Sequence, residues 1–215
     1  MYNKPRNIYC YNINFLYSFV FFLLLVFSSF NAKCQDDNTP LQIDITGGKI
    51  QPMPIAISVF SINGEINEDM KILAEGIPNL IAKNLTNSGF FKLLDREAYM
   101  QAPEALINRP KFRDWRIIDA QTLISGTVSK KTEDKVSVSI EMWDVYGERR
   151  MLGITLVSKV RSWRRIAHIF SDKVYERLTG ETGYFDTRIV YISETGDQKN
   201  RIKRLAIMDQ DGANH

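Results

Sequence analysis

Residues 162–193 constrain the fold most, because they combine a helix, a helix stop and the start of a new strand. The apolar positions that recur at helical spacing are Trp163, Ile166, Ala167, Phe170, Val174 and Leu178. Gly180 follows them, and glycine is common just after a helix end. Residues 187–193 then alternate apolar and polar side chains, which indicates a strand. The stretch therefore predicts a junction where one α/β domain ends and a second unit begins.

The amino-terminal residues 1–34 have the parts of a secretory signal peptide. Lys4 and Arg6 form a positive start, Phe15–Phe27 is apolar and uncharged, and the small residues of Ala32-Lys33-Cys34 lie at alternate positions before Gln35. The apolar run is shorter than the ~20 residues that a membrane-spanning helix needs. We therefore expect export followed by cleavage. A permanent membrane anchor and a lipid anchor on Cys34 are the alternatives.

The excess positive charge of the chain lies in this same segment. The chain has 28 basic and 25 acidic residues, and removal of Lys4, Arg6 and Lys33 with the signal leaves 25 of each. A neutral mature chain argues against nucleic-acid binding. Both cysteines, Cys10 and Cys34, also lie there, so cleavage after Cys34 excludes a disulfide or a thiolate metal site.

A strand, a second strand and a helix are predicted before residue 90. Leu41–Thr46 alternates apolar and polar residues, which is typical of a half-buried strand. Ile55–Phe60 is more continuously apolar, which favours a central strand. Proline is tolerated in the first turn of a helix but not in its interior. Because of Pro78, we expect the next helix to begin between residues 75 and 77, and Gly89 to end it.

The rest of the first domain is predicted to be mostly sheet. The further strands are residues 90–94, 122–128, 135–145 and 151–157. The last three form a meander, and the middle one predicts one buried and one solvated sheet face. Residues 112–119 fit a short helix or an irregular connection. The predicted fold class is α/β (α+β), with a mixed sheet covered by two helices.

A hairpin is predicted at the end of the chain, from residues 187–193 and 204–208. A tight turn, Asp209-Gln210-Asp211-Gly212, follows the second strand. Two strands followed by such a turn indicate the start of a β-propeller blade. The segment is shorter than the ~40–45 residues of a complete blade. The expected organisation is a signal peptide at 1–34, an α/β domain at 35–180, a linker at 181–185 and an incomplete blade at 186–215.

Two features of the junction helix suggest possible function. His168 lies one position off the apolar stripe, which predicts a half-buried histidine at the edge of the core. The alternative is a proton-exchanging or partner-contacting group. Arg161, Arg164 and Arg165 beside Trp163 indicate a solvated helix face or an RNA-binding patch. The neutral mature charge favours the solvated face, with Trp163 turned into the core.

The sequence contains little that predicts catalysis. It has no Gly-x-Ser-x-Gly elbow, and its paired carboxylates lie in tails and turns. Asp209, Asp211 and Asn214 are similar to half of a calcium loop, but the distal glutamate is missing. We therefore expect them to stabilise a turn, and we predict a non-enzymatic protein with no cofactor and no metal.

Several stretches together resemble the TolB family. They are residues 41–60 with a Pro-x-Pro strand entry, 87–95, 171–180, 187–191 and 209–214. The resemblance covers nearly the whole chain after the signal segment. It implies an α/β amino-terminal domain followed by a six-bladed propeller. The chain departs from the family pattern at Pro78 and lacks most of the propeller.

The same resemblance implies a periplasmic adaptor of the Tol–Pal system, which acts in envelope integrity and in constriction during cell division. It implies the partners TolA and Pal, and neither a nucleic acid nor a small-molecule substrate. TolA is expected to bind the amino-terminal strand, and Pal the propeller. The predicted partner-binding residues are Leu41, Gln42, Ile43, Asp44, Ile45 and Thr46. A fragment of an exported peptidase of the prolyl oligopeptidase type and another periplasmic binding module are the alternatives.

Overall fold

A mixed sheet of six strands organises the part of the chain that the structure describes. The structure is a computed structural model, and it describes residues 51–197 and 199–215. The strands of this sheet are β1 (Met53–Ile57), β2 (Ser61–Asn63), β3 (Phe91–Leu93), β4 (Thr122–Lys130), β5 (Lys135–Asp144) and β6 (Arg149–Lys159). Their order is β3-β1-β4-β5-β6, and β2 pairs with β4. The predictions for residues 1–34 and 41–46 lie outside the described residues.

Strand β1 is central, as its apolar sequence predicts. It runs parallel to both β3 and β4, with Ile55 opposite Leu93 and Thr122. The strand predicted over residues 55–60 is interrupted, however, because β1 ends at Ile57 and pairing with β4 resumes at β2. The ring of Phe60 covers Gly126 of β4, where an added Cβ would lie 2.8 Å from ring atoms. This close approach explains why β4 carries a glycine inside a strand.

Two long helices cover one face of the sheet. They are α1 (Glu68–Asn87) and α3 (Trp163–Thr179), and a shorter helix, α2 (Phe112–Ile117), lies between them in the chain. Ile57, Ile81, Ile140 and Phe170 are fully buried members of the core between the helices and the sheet. The left-handed φ of 80° at Gly180 confirms the predicted stop of α3. Within the described residues, no helix combines the length and the apolar character needed to cross a bilayer.

The predicted start of α1 is wrong. The helix begins at Glu68, where the Asn67 side chain accepts a hydrogen bond from the amide of Met70 (2.9 Å), and Pro78 lies in its interior. A proline leaves the carbonyl four residues earlier without its helical donor. That carbonyl belongs to Ala74, and the amide of Phe60 donates to it (3.0 Å). A donor from outside the helix therefore replaces the missing bond.

The sheet face opposite the two long helices, which the middle strand predicts to be solvated, is covered in part. A smaller core covers part of that face, and it includes Ala56, Leu106, Trp115, Leu123 and Trp143. The covering residues come from α2 and from the short 3-10 helix Pro103–Leu106, and Tyr99 packs against them. The middle strand keeps its predicted alternation, because Val136, Val138, Ile140 and Met142 are all fully buried. The sheet is thus covered on both faces at its parallel end.

The carboxy-terminal hairpin forms a separate two-stranded antiparallel sheet, as predicted. Its strands are β7 (Arg188–Thr195) and β8 (Ile202–Asp209), and Arg188 pairs with Asp209. The predicted tight turn is confirmed by a bond from the amide of Gly212 to the carbonyl of Asp209 (2.9 Å). Hairpin and sheet belong to the same compact unit.

Candidate functional site

The predicted partner strand, residues 41–46, lies outside the described part of the chain. The described chain begins at Gln51 and leads directly into β1. Two open cavities border this end of β1. One of about 310 Å³ is lined in part by Met53, Tyr146 and Leu178, and one of about 560 Å³ by residues that include Pro54. The structure therefore does not test the predicted binding residues.

His168 is fully buried, not half-buried as the sequence predicts. Its Nδ1 lies 3.0 Å from Nδ2 of Asn84, which is a buried residue of α1. The same amide nitrogen donates to Oγ of Ser171 (2.9 Å), and that hydroxyl donates to the carbonyl of Ala167 (2.8 Å). A small polar network therefore lies inside the contact between α1 and α3. Ser171 is wholly buried, so its hydroxyl is not accessible to a substrate.

Asp211, in the turn after β8, faces this network from the hairpin. Its Oδ2 lies 3.8 Å from Nε2 of His168 and accepts a bond from the Arg164 guanidinium. Its Oδ1 accepts a bond from the amide of Ala213 (3.1 Å). Burial opposes ionisation of the carboxyl, but the Ala213 amide and the Arg164 guanidinium outweigh it and hold the pKa of Asp211 below its ordinary value of 3.8. Asp211 is therefore a buried anion with a cationic partner.

The same cluster has the residue types of a metal site, because His168, Asp209 and Asp211 each offer one ligand atom within 4.8 Å of the others. Imidazole and carboxylate groups are both common metal ligands. Arg164, however, already supplies a positive charge to Asp211. The Asn214 amide donates to Asp209, which agrees with the predicted turn-stabilising role. A cation at this position would have to displace Arg164, so the donor set does not favour a metal.

The residues predicted as a linker, 181–185, are anchored at their carboxy-terminal end. The amides of Phe185 and Asp186 donate to the two carboxylate oxygens of Asp172 (2.6 and 3.1 Å). The Phe185 side chain is fully buried, and its ring contacts Tyr175 edge-on with centroids 5.8 Å apart. The chain therefore leaves α3 and returns to contact it before β7 begins.

Two of the three arginines at the start of α3, Arg161 and Arg165, are exposed as the sequence predicts, and Arg164 is partly buried. Arg164 binds Asp211 and lies over the Trp163 ring, 5.1 Å from its centroid. Arg165 forms an ion pair with Asp186 (3.3 Å). These groups line an open polar cavity of about 740 Å³ between α3 and the hairpin. Trp163 is partly buried against the core, as predicted. Two of the three arginines thus hold the hairpin.

Apolar side chains remain exposed on the hairpin. Val190 and Ile192 of β7 are 61% and 63% exposed, and Leu205 of β8 is 79% exposed. Isolated two-stranded sheets are at best marginally stable, and these residues find no core within the described structure. The polar contacts at the turn and at the linker are therefore important for holding the hairpin.

A comparison with known protein families identifies the family to which this chain belongs. Residues 41–151 match the family model of the TolB amino-terminal domain. The chain belongs to the TolB family. The matched residues include the predicted strand at 41–46 as well as β1 to β5 of the described sheet.

Two curated relatives carry the name Tol-Pal system protein TolB. The one from Pelagibacter ubique is 40% identical over 205 residues, which cover 93% of this chain and 44% of the relative. The one from Paramagnetospirillum magneticum is 43% identical over 175 residues, which cover 81% and 38%. The chain therefore spans less than half the length of these relatives.

A solved TolB-family structure has a similar fold. The crystal structure of TolB from Acinetobacter baumannii superposes with a TM-score of 0.62 at 26% identity, and the match covers 75% of this chain and 37% of that one. The sheet with its two helices is thus the fold of an experimentally determined family member.

The sequence does not predict most of the contacts that join α3 to residues 181–186 and to the hairpin turn. Asn84 lies on the buried stripe of α1, four residues after Leu80, and a polar residue there signals a buried hydrogen-bonded network. Asp172 lies on α3 and gives no such signal, because an acidic residue on a helix is usually solvated. His168 and Asp211 are both recognisable as candidates, but nothing in the sequence predicts that they meet.

Proposed function

We propose that this chain is the amino-terminal part of a periplasmic, non-enzymatic adaptor that links inner-membrane TolA to outer-membrane Pal in the Tol–Pal system. The observation that carries the proposal is the family match, which begins at the predicted strand Leu41–Thr46. The names of the curated relatives support membership of the Tol–Pal system. The activity would support envelope integrity and constriction during cell division.

The proposed organisation has four parts. Residues 1–34 act as a signal peptide that directs the chain to the periplasm, and residues 35–180 form the α/β domain. Residues 181–185 connect it to residues 186–215, the start of a propeller blade. The exposed apolar side chains of β7 and β8 support the last assignment, because strands of a blade are covered by their neighbours. We expect trypsin to cut this hairpin before it cuts β4 or β5.

The proposed mechanism is a population shift of the amino-terminal strand. Residues 41–46 exist either docked on their own domain or free to pair with TolA, and TolA selects one of the two states. Pal, at the propeller, biases the same equilibrium. A partner shifts such an equilibrium only as far as its affinities for the two states differ. An alternating strand can add to a sheet edge through its backbone, with its apolar side chains setting specificity.

The test uses the mature chain and TolA without its membrane anchor. Changing Leu41, Ile43 and Ile45 together to serine removes the apolar face of the strand, and we expect TolA binding to weaken at least ~10-fold. Changing Gln42, Asp44 and Thr46 to serine alters the other face of the same segment and is the matched control. Deletion of residues 35–46 is expected to abolish binding. TolA binding that survives this deletion unchanged would refute the proposed TolA site.

Pal binding supplies a second arm of the same experiment. We expect a longer TolB-family protein with its propeller to bind Pal, and this chain to retain TolA binding while it binds Pal much more weakly. Calorimetry with each partner measures both affinities. Equal Pal affinity for the two proteins would place the Pal site on residues 35–215 and contradict the proposed division.

A further inference from the structure

We infer that Asn84, His168 and Asp211 form a relay that latches the turn after β8 onto the buried contact between α1 and α3. The relay connects three elements that are distant in sequence, and its members are all buried at the side-chain level. The inference concerns how the hairpin is positioned. The relay would also couple the TolA-facing part of the protein to the Pal-facing part. That consequence rests on the proposed function.

The hydrogen bonds of Asn84 determine the tautomer of His168. The Ser171 hydroxyl donates its proton to the Ala167 carbonyl, so its oxygen is free to accept a bond from the Asn84 amide. The atom of Asn84 between Ser171 and His168 is therefore the amide nitrogen, which has two protons to donate. One goes to Ser171 Oγ and the other to Nδ1 of His168 at 3.0 Å. Nδ1 accepts, and the ring proton of a neutral imidazole must then lie on Nε2.

The protonated Nε2 of His168 faces Asp211. It lies 3.8 Å from Oδ2, and within the described residues it has no hydrogen-bond partner. The side chains of His168 and Asp211 are only 3% and 2% exposed, so water has little access to the gap. A buried donor without a partner is unfavourable, and a movement of ~1 Å would complete the bond. The relay therefore orients the Nε2 proton of His168 toward its acceptor, Asp211.

Other charged groups near the relay do not replace it. Arg164 attracts Asp211 from α3, Asp209 lies beside it on the hairpin, and the α1 residue that contacts the imidazole is the neutral Asn84. A long arginine side chain can follow the carboxylate over a range of positions. The imidazole is fixed by Asn84 and by its burial, so it accepts only one position of the turn. Arg164 thus attracts the Asp211 carboxylate, and His168 determines the position that the carboxylate takes.

The experiment compares two substitutions of His168 in the complete chain. In His168→Gln an amide nitrogen lies near the former Nε2, and in His168→Asn it lies near the former Nδ1. Amide hydrogen exchange at Asp209, Gly212 and Ala213 reports the turn, because all three amides are bonded within it. One hydrogen bond corresponds to a change of about 3- to 10-fold. We expect His168→Asn to speed exchange by this factor and His168→Gln to stay within about twofold of the wild type.

Lys173→Gln is the matched control, because Lys173 lies on the exposed face of the same helix and pairs with Glu176. We expect it to leave exchange at the turn unchanged. Exchange in β4 and β5 checks that each variant keeps its fold. Wild-type exchange in His168→Asn, or equal acceleration in both His168 variants, would overturn the relay. The first outcome shows that the turn is held without His168, and the second that only ring volume matters.

A measurement on the wild type keeps the proposal testable if a variant does not fold. Nitrogen chemical shifts of the imidazole distinguish the two tautomers, and the chain has only two histidines to assign, His168 and His215. We expect His168 to carry its proton on Nε2 at neutral pH. A proton on Nδ1 would overturn the relay. None of these results depends on TolA binding, so the relay and the proposed function can fail separately.

Discussion

The amide of Phe60 donates to the carbonyl of Ala74 across 3.0 Å, and this bond accounts for a proline in the middle of helix α1. Pro78 has no N–H to offer that carbonyl, and prolines inside helices usually destabilise them by about 3 kcal/mol. Here the carbonyl is satisfied from the sheet side, and Pro78 itself is buried in the core. The bond also fixes the chain between β1 and β2 against α1.

We therefore expect Pro78→Ala to raise the free energy of unfolding by less than about 1 kcal/mol, because Ala74 already has a donor and the packing of the proline ring is lost. Urea unfolding measures the change. The matched control is Lys83→Ala, which introduces the same side chain at an exposed position of the same helix. A gain near ~3 kcal/mol for Pro78→Ala would show that the proline is strained after all.

Local patterns in the sequence were sufficient to predict the layers of the fold. The alternation in residues 135–145 marks the buried face of β5, and the spacing of Ile166, Phe170 and Val174 marks the buried face of α3. Gly89 and Gly180 end their helices with positive φ, as expected for glycine caps. These features are determined within a few residues of chain, where periodicity and capping rules apply.

Features that depend on distant residues could not be predicted. The start of α1 was misplaced because the donor that satisfies Ala74 lies in a different element, at Phe60. The burial of His168 depends on Asn84 and Asp211, one from an earlier helix and one from the terminal turn. The family resemblance gave the fold, but it did not say which side chains hold the hairpin in this chain.

The packing of Phe60 on Gly126 gives a second prediction. An added Cβ at Gly126 would lie 2.8 Å from atoms of the ring, closer than side-chain carbons approach. Overpacking of this kind typically lowers stability by about 1–3 kcal/mol, and we expect that loss for Gly126→Ala. The double variant with Phe60→Leu should recover part of it, because the smaller side chain makes room. Thermal unfolding of the single and double variants tests this, and a simple sum of the two losses would contradict the contact.

Asp172 gives a third prediction, because it accepts the amides of both Phe185 and Asp186. Asp172→Asn keeps one acceptor oxygen and replaces the other by a donor that faces an amide. Leaving a backbone amide without its partner costs about 1–3 kcal/mol. We expect proteases to cleave residues 181–187 faster in this variant, and amide exchange of Phe185 to accelerate. Glu176→Gln, an exposed position of the same helix, is the control. Equal cleavage of the two variants would show that Phe185 is held by its ring alone.

The ionisation of Asp211 gives a fourth prediction. Burial opposes the charge, but Ala213 and Arg164 outweigh it, so the folded pKa lies below the ordinary value of 3.8. A carboxyl with a lowered folded pKa contributes stability that is fully present above its unfolded pKa. This contribution is lost as the pH falls from the unfolded value through the folded one. The hairpin turn should therefore be insensitive to this group at neutral and mildly acidic pH.

We expect the difference in free energy of unfolding between the wild type and Asp211→Asn to stay constant from about pH 7 to about pH 4.5 and to shrink at lower pH. The variant has no charge at this position, so the difference isolates Asp211 from the other carboxyls. Urea unfolding at several pH values measures it, and amide shifts of Gly212 and Ala213 follow the local titration. A wild-type advantage that instead grows as the pH falls from about 6 to about 5 would mean that the folded pKa of Asp211 is raised, and that Arg164 does not compensate its burial.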